Sequence, residues 1–337
     1  MNFGDAVPIK GCWIKTRHLE TSCGNSSIDT LLGGGIPNTS IMIVDETQSR
    51  VYAESLSKYF IAEGLYNDHD ILVINPSLNE DPFTSIPSRV EESKREMLVN
   101  SRPSLFPESE DMKIAWRYSN TPQINSTIST KIRYDLAKPI INLDSFNSIR
   151  RQYPHDNSLS GCGYSNLYTY LYEILSSETY SKEINGSVKN KNLLRIVIKN
   201  IGSPLWLDPQ NLSTFLVKLQ SLIRSSYAVI MCTSCTTSLT SKLCRELDIS
   251  SDIFIRLVAI SSEEKKKLPS LDKFNGYFHL IRLPHLTSVS TFTPPAIDLV
   301  FELNRKSFDV KIHHLPPSLG DESALTTNVK PSCGVEF

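Results

Sequence analysis

The 337-residue chain lacks long apolar runs, clustered cysteines and any strong excess of charge. No apolar stretch reaches the roughly 20 residues that span a bilayer. Residues 1–5 contain neither the basic segment nor the apolar segment of a secretory signal. The 7 cysteines are odd in number and scattered, which favours reduced thiols in the cytoplasm or nucleus. The near balance of 35 Lys and Arg against 36 Asp and Glu disfavours a wholly basic nucleic-acid binder, whereas it allows a local basic patch.

A further absence follows the first apolar strand that the sequence predicts, at residues 41–45. Three glycines at 33–35 precede this strand, and in ATPases of the RecA type such a layout introduces a phosphate-binding loop. That loop needs glycines for a tight turn, a lysine against the phosphates and a Ser or Thr on magnesium. Residues 45–52 hold neither glycine nor lysine, and Asp45 and Glu46 would repel phosphate. The stretch therefore predicts a degenerate loop.

The strand that should carry an acid for magnesium shows a second absence. The apolar run 193–198 ends in Lys199 and Asn200, and the next carboxylate is Asp208. Two separate requirements of a triphosphate site are thus missing together. We predict no catalytic and no cofactor-binding residues, and we expect the glycines at 33–35 to serve packing at a helix end.

Metal and redox sites lack the necessary partners as well. Cys232 and Cys235 form a CxxC pair, but zinc needs a second pair, Cys244 stands alone, and no thioredoxin-like context surrounds the motif. His313 and His314 are adjacent in a predicted strand, so their side chains point to opposite faces. We predict no metal site.

What the chain does contain is an alternation of apolar strands and amphipathic helices. This pattern predicts an α/β fold with a mostly parallel sheet covered on both faces, a short capped helix before the glycines, and an antiparallel extension near the C-terminus. The three tryptophans, Trp13, Trp116 and Trp206, are expected to be buried. The predicted strands are 41–45, 71–74, 113–118, 193–198, 227–231, 253–259, 277–283, 297–303 and 308–313, and the clearest helices are 52–64, 164–175 and 215–223.

Polar and irregular composition sets the predicted domain organisation. Residues 77–111 and 119–163 show little periodicity and are interpreted as insertions. We therefore expect a single domain over residues 1–317, followed by a loose polar tail at 318–337.

Several segments, taken in order, resemble one family across nearly the whole chain, from about residue 11 to residue 317. The segments are 21–29, 31–35, 58–64, 112–118 and 314–317. Together they are similar to the fourth subunit of the Elongator complex, a family of RecA-like accessory subunits. The glycine run and residues 113–118 are the most specific of these segments.

The resemblance implies a RecA-like fold without working phosphate-binding motifs and without a cofactor. It implies assembly with the fifth and sixth Elongator subunits into a hetero-hexameric ring, which attaches to the catalytic Elongator subcomplex. That complex helps to modify the wobble uridine, U34, of certain transfer RNAs, and its radical chemistry belongs to a different subunit.

One loop carries a nucleic-acid hypothesis. In RecA-like rings the corresponding loop faces the central channel, and residues 233–245 offer Lys242, Arg245 and many hydroxyls, which suit phosphate contacts. We expect Lys242 and Arg245 to contribute to transfer RNA binding, unless the segment is an ordinary loop. The favoured function is a non-catalytic structural subunit. The alternatives are a ring ATPase subunit with a divergent nucleotide site at a subunit interface, and a recombinase-like DNA-binding ATPase, which both missing motifs disfavour.

Overall fold

The structure is a computed structural model, and it describes residues 9–15, 18–47, 51–76, 81–90, 128, 133–153, 163–182, 191–285 and 292–313. None of the helices in these residues is long and apolar enough to cross a membrane. Several sequence predictions fall outside this part of the chain: the strand at 113–118, most of the two insertions, the tail, Trp116 and His314.

The described residues form six α-helices and fourteen strands. The strands are β1 (Cys12–Lys15), β2 (His18–Thr21), β3 (Ile36–Pro37), β4 (Ile41–Glu46), β5 (Asp70–Ile74), β6 (Pro87–Arg89), β7 (Tyr134–Pro139), β8 (Arg150–Gln152), β9 (Leu194–Ile201), β10 (Ala228–Ser234), β11 (Ile253–Ala259), β12 (Gly276–Arg282), β13 (Leu299–Leu303) and β14 (Phe308–Ile312). The helices are α1 (Ser26–Leu31), α2 (Val51–Tyr66), α3 (Tyr164–Leu175), α4 (Leu212–Arg224), α5 (Ser241–Ser250) and α6 (Ser262–Lys267).

A nine-stranded sheet organises the molecule, in the order β14-β13-β12-β11-β4-β10-β9-β5-β8. The six strands from β11 to β8 run parallel, whereas β12, β13 and β14 extend the sheet in antiparallel fashion. The predicted mostly parallel sheet with a C-terminal antiparallel extension is therefore confirmed. The central strands are continuous apolar runs because parallel strands are buried on both faces.

Alternate side chains of the central strands pack into two separate hydrophobic cores, one on each face of the sheet. Met42 and Val44 of β4 face the core beneath α1 and α2, whereas Ile41 and Ile43 face the core that α3, α4 and α5 cover. Successive side chains of a strand point to opposite faces, so one short strand contributes to both cores. The prediction that helices cover both faces is confirmed.

A three-stranded sheet of β1, β2 and β3 precedes the main sheet and surrounds the glycine run. The short helix α1 is capped by the Asn25 side chain, which accepts hydrogen bonds from the amides of Ser27 and Ile28. Gly33 and Gly34 follow the helix with φ of 85° and 140°, a region that favours glycine. The predicted capped helix and its glycine end are confirmed.

Two sequence predictions are wrong. The stretches 77–111 and 119–163 were expected to be irregular, yet β6 in the first pairs with β7 in the second, and β8 joins the main sheet beside β5. The strand β8 was missed because it is a half-exposed edge strand, which pairs through its backbone and needs no apolar pattern. Trp13 is 38% exposed instead of buried, whereas Trp206 is buried as predicted, stacked on Tyr164 with ring centroids 4.7 Å apart.

Candidate functional site at the carboxyl edge of the central sheet

The chain reverses its direction across the sheet between β4 and β10. From β4 the chain passes through α2 to β5, on one side, whereas from β10 it passes through α5 to β11, on the other side. Open α/β sheets bind ligands outside the carboxyl ends of their strands at such a switch point. The residues at this edge, here called the switch-point crevice, are Asp45, Glu46, Lys199, Thr236 and Arg256.

Asp45 ends the apolar run of β4 and is completely buried. Its carboxylate accepts hydrogen bonds from the Thr236 amide at 2.8 Å and from the Thr236 hydroxyl at 2.6 Å. A third hydrogen bond comes from Arg256 Nε at 2.7 Å. The side chain therefore ties β4 to the turn after β10 and to β11, and its charge is balanced within the fold.

Glu46 is the last residue of β4, and its carboxylate reaches the start of α2. It is 3% exposed, and its carboxylate accepts a hydrogen bond from the Ala53 amide at 2.8 Å, with a longer contact from the Tyr52 amide. The first amides of a helix have no partner within the helix and attract anions, phosphate included. A side-chain carboxylate of the protein thus sits where a loop-bound phosphate would meet the helix.

Lys199 places a cation at the crevice. It belongs to β9, which extends beyond the predicted end at residue 198, and it donates a hydrogen bond to Glu54 of α2 at 2.9 Å. The carboxylate beside Lys199 therefore comes from α2 and not from the end of β9. Together Asp45, Glu46 and Lys199 make a polar edge in which each charged group has a hydrogen-bond partner within the protein.

The residues predicted to bind RNA lie on a helix and not in a loop. Lys242 and Arg245 are exposed on the first two turns of α5, and Lys242 lies 3.8 Å from Glu246 in an i,i+4 ion pair. The loop was predicted to reach residue 245, but Thr240 caps α5, which begins at Ser241. Since α5 follows β10, both cations lie at the carboxyl edge of the sheet.

The hydroxyls of the preceding turn serve the fold itself. Thr236 binds Asp45, the Thr237 hydroxyl donates to the Thr47 carbonyl at 3.2 Å, and the Ser238 hydroxyl donates to the Cys235 carbonyl at 2.8 Å. These side chains were expected to suit phosphate contacts, but each already has an internal partner.

The two cysteines of the CxxC pair differ in burial. Cys232 is completely buried in β10, and burial raises the pKa of its thiol to about 12, which disfavours the reactive thiolate. Cys235 lies at the start of the following turn, and its sulfur contacts the Thr237 hydroxyl. Within the described ranges, no three His, Cys, Asp or Glu side chains are grouped to hold a metal ion.

Sequence reasoning missed a buried cation, Arg195, at the second position of β9. Its side chain is 0% exposed and donates to His69 Nδ1 at 3.0 Å, to the Thr21 hydroxyl at 2.7 Å and to the Ser22 carbonyl at 3.0 Å. Its guanidinium also lies 4.7 Å from the centre of the Phe60 ring. An arginine inside an apolar strand was the available signal.

The comparisons with known proteins agree with one another. A family model described as PAXNEB protein matches residues 9–334. Elongator complex protein 4 of Homo sapiens is 28% identical over 361 residues, which cover 96% of this chain and 85% of that protein. The proteins of the same name from Mus musculus and Xenopus laevis are 28% and 29% identical and cover 91% of this chain, at 79% and 82% of their own lengths.

Proposed function

The chain belongs to the PAXNEB protein family, and we propose that it is a non-catalytic structural subunit of the Elongator complex. The observation that carries this proposal is the switch-point crevice, in which Asp45, Glu46 and Lys199 are each paired with other protein groups. In this crevice the amides at the start of α2 and the lysine, which could bind an anion, already bind Glu46 and Glu54. Membership of the Elongator complex is inferred from the relatives named Elongator complex protein 4.

The proposal gives the chain a RecA-like fold with a degenerate phosphate loop, in one domain over residues 1–317. Six parallel strands, helices on both faces and a helix that starts directly beyond β4 support it. Residues 48–50, in the middle of the presumed loop, lie outside the described residues. Among the described residues, Glu46 supports the degenerate loop, because its carboxylate already binds the start of α2.

In this proposal the subunit assembles with the fifth and sixth Elongator subunits in a hetero-hexameric ring, in the cytoplasm and nucleus. The ring attaches to the catalytic subcomplex and supports modification of the transfer RNA wobble uridine. A subunit without a nucleotide holds its neighbours by buried area and shape complementarity alone.

Titration of the isolated chain with ATP and magnesium tests the non-catalytic proposal. We expect no saturable heat, because Lys199 and Arg256, the cations of the described crevice, are already paired with Glu54 and Asp45. Micromolar binding that is lost in Arg50→Ala would instead support the divergent ATPase subunit. Glu46→Gln is the companion variant, since a site that uses the amides of α2 would bind ATP more tightly once the carboxylate is gone.

Transfer RNA contact by Lys242 and Arg245 is the second part of the proposal. Both are exposed on α5, at one edge of the sheet. The double variant Lys242→Glu with Arg245→Glu, assembled in the ring, should bind transfer RNA more weakly and show a shallower salt dependence. Lys138→Glu with Arg305→Glu makes the same change in charge at exposed positions elsewhere. Equal RNA affinity for both double variants, at every salt concentration, would remove the proposal.

A further inference from the structure

Two half-exposed aromatic rings flank the glycine run. A Cβ added to Gly33 would lie 3.0 Å from the Phe292 ring, and one added to Gly35 would lie 2.8 Å from the Trp13 ring. The rings therefore rest directly against the glycine backbone. We call Trp13, Phe292, Glu20, Lys15 and residues 33–35 the aromatic–glycine surface.

Both rings leave much of their area in solvent. Trp13 is 38% exposed and Phe292 is 40% exposed, although most large apolar side chains of the central sheet are below 9%. Trp13 lies on β1, which pairs only with β2 within its three-stranded sheet. The rings cover Gly33 and Gly35, whereas Gly34 is exposed beside them, so a planar or extended group can approach the backbone closely at Gly34.

Glu20 supplies a buried charge beside the rings. It faces Trp13 directly in the antiparallel pairing of β1 and β2, and it is only 5% exposed. Its Oε2 atom has no hydrogen-bond partner among the described residues. Burial raises the pKa of the carboxyl group, and this is opposed by Lys15 and by a hydrogen bond from the Trp13 side chain. A buried acceptor without a donor is costly, so the carboxylate favours an incoming donor.

Lys15 places a positive charge near the Glu20 carboxylate but does not donate a hydrogen bond to its Oε2 atom. Its ammonium lies 3.8 Å from Glu20 Oε2, which is too far for a hydrogen bond, and it donates instead to the Gly33 carbonyl. A Cβ on Gly34 would lie 3.4 Å from that ammonium and 3.6 Å from Oε2. The cation, the carboxylate and the glycine backbone therefore meet between the two rings.

We propose that the aromatic–glycine surface binds an arginine side chain of a protein partner, whose guanidinium stacks on Trp13 and displaces the Lys15 ammonium from Glu20. Arginine fits because its planar guanidinium stacks on aromatic faces and presents two donors to one carboxylate. A nucleic acid fits less well, because its phosphates would meet the Glu20 charge. The surface is separate from the switch-point crevice, so the inference does not depend on the proposed Elongator role.

Saturation-transfer NMR with a short peptide tests the inference on the full chain. The probe is acetyl-Gly-Ser-Arg-Ser-Gly-amide, and the control peptide carries citrulline, which has arginine's shape without its charge. We expect transfer to the arginine methylenes and none to citrulline. Trp13→Ala and Glu20→Gln should each weaken binding at least fivefold, whereas Lys15→Ala should strengthen it severalfold because the competing ammonium is gone.

Tyr172→Ala is the matched control, since it removes a 53% exposed aromatic ring from α3 and should leave the peptide signal unchanged. Equal transfer to arginine and citrulline would overturn the inference, as would an arginine signal that Trp13→Ala leaves intact. If Glu20→Gln does not fold in a thermal unfolding control, the citrulline comparison on the unchanged chain still decides whether charge is recognised. No Elongator subunit enters the experiment, so its failure would leave the proposed function standing.

Discussion

At the residue scale, Arg195 is a charged side chain that is completely removed from water. It is a fully buried cation whose hydrogen-bond partners are neutral: His69, Thr21, Ser22 and the Phe60 carbonyl. Burial lowers the pKa of the guanidinium. A buried ion is tolerated only where hydrogen bonds replace its hydration, so these four contacts join β2, α2 and β9.

Replacing Arg195 by methionine keeps much of the volume but leaves its acceptors without a donor. We expect Arg195→Met to lower the free energy of unfolding by about 3 kcal/mol, in the range found when one partner of a buried polar network is removed. Urea unfolding measures the change. Arg245→Met, at an exposed position of α5, should stay within about 0.5 kcal/mol of the unchanged chain, and equal losses for both variants would contradict this account.

His69 gives the fold a pH dependence. Burial, reinforced by the Arg195 charge, lowers the pKa of His69 from 6.5 to about 3. Between these values the unfolded chain binds a proton that the folded chain rejects. The His69 contribution is therefore complete above about pH 6.5 and is lost as the pH falls towards 3, by up to about 1.4 kcal/mol per pH unit.

His69→Gln should flatten the stability profile between pH 6.5 and 5. Glutamine can accept from Arg195 and donate to the Lys10 carbonyl, which reproduces the two shorter contacts of the imidazole, but it does not titrate. Denaturant unfolding at a series of pH values gives the slopes. His285→Gln, at an exposed histidine, should keep the original slope, and a variant profile parallel to that of the unchanged chain would refute the assignment.

The sequence predicted the roles of some single residues and missed others. The lack of a lysine and of glycines in residues 45–52 was visible directly, because an absence needs no partner. The role of Arg195 was not visible, because Thr21 and His69 lie 174 and 126 positions away along the chain. Only the fold brings such distant groups together.

At the element scale, the start of α2 depends on Glu46. Its carboxylate binds the Ala53 amide and faces the positive end of a 16-residue helix. Glu46→Gln should lower the free energy of unfolding by about 1–2 kcal/mol, because the buried charge–dipole attraction is lost. Thermal or urea unfolding measures it.

Glu263→Gln is the matched control at another helix start. Glu263 lies in the first turn of α6 but is exposed, so water screens its charge and the loss should be about 0.3 kcal/mol. If both variants lost the same free energy of unfolding, burial of Glu46 would not strengthen its interaction with the start of α2.

Elements with strong periodicity were predicted well, and weak edge elements were not. The apolar stripe of α3 and the hairpin of β13 and β14 appear where the pattern placed them. The strand β8 was missed because Arg150, Arg151 and Gln152 carry no apolar alternation. Its position comes from backbone pairing with β5, which composition does not report.

At the scale of the whole molecule, several large apolar side chains are exposed on the face of the sheet that α3, α4 and α5 cover. Tyr172 of α3, Val217 of α4 and Ile249 of α5 are 53%, 64% and 60% exposed. We expect the isolated chain to self-associate at micromolar concentration, because it leaves this apolar area in water.

Light scattering on the isolated chain, followed by native mass measurement after co-expression with the fifth and sixth Elongator subunits, tests this expectation. Co-expression should give one species that contains all three chains in equal numbers. A monodisperse monomer that ignores both subunits would contradict the structural role, whereas the arginine-peptide experiment would keep its own outcome.

Local composition and spacing were enough to predict the alternation of strands and helices and the antiparallel end of the sheet, and they showed that residues 45–52 lack glycine and lysine. The tertiary structure determined which groups meet at the carboxyl edge of the sheet. Asp45 meets Thr236 and Arg256 across 191 and 211 positions, and these contacts exist only once parallel strands bring their carboxyl ends to one edge. It also decided that Trp13 is exposed beside Glu20, since exposure depends on which surfaces the fold covers.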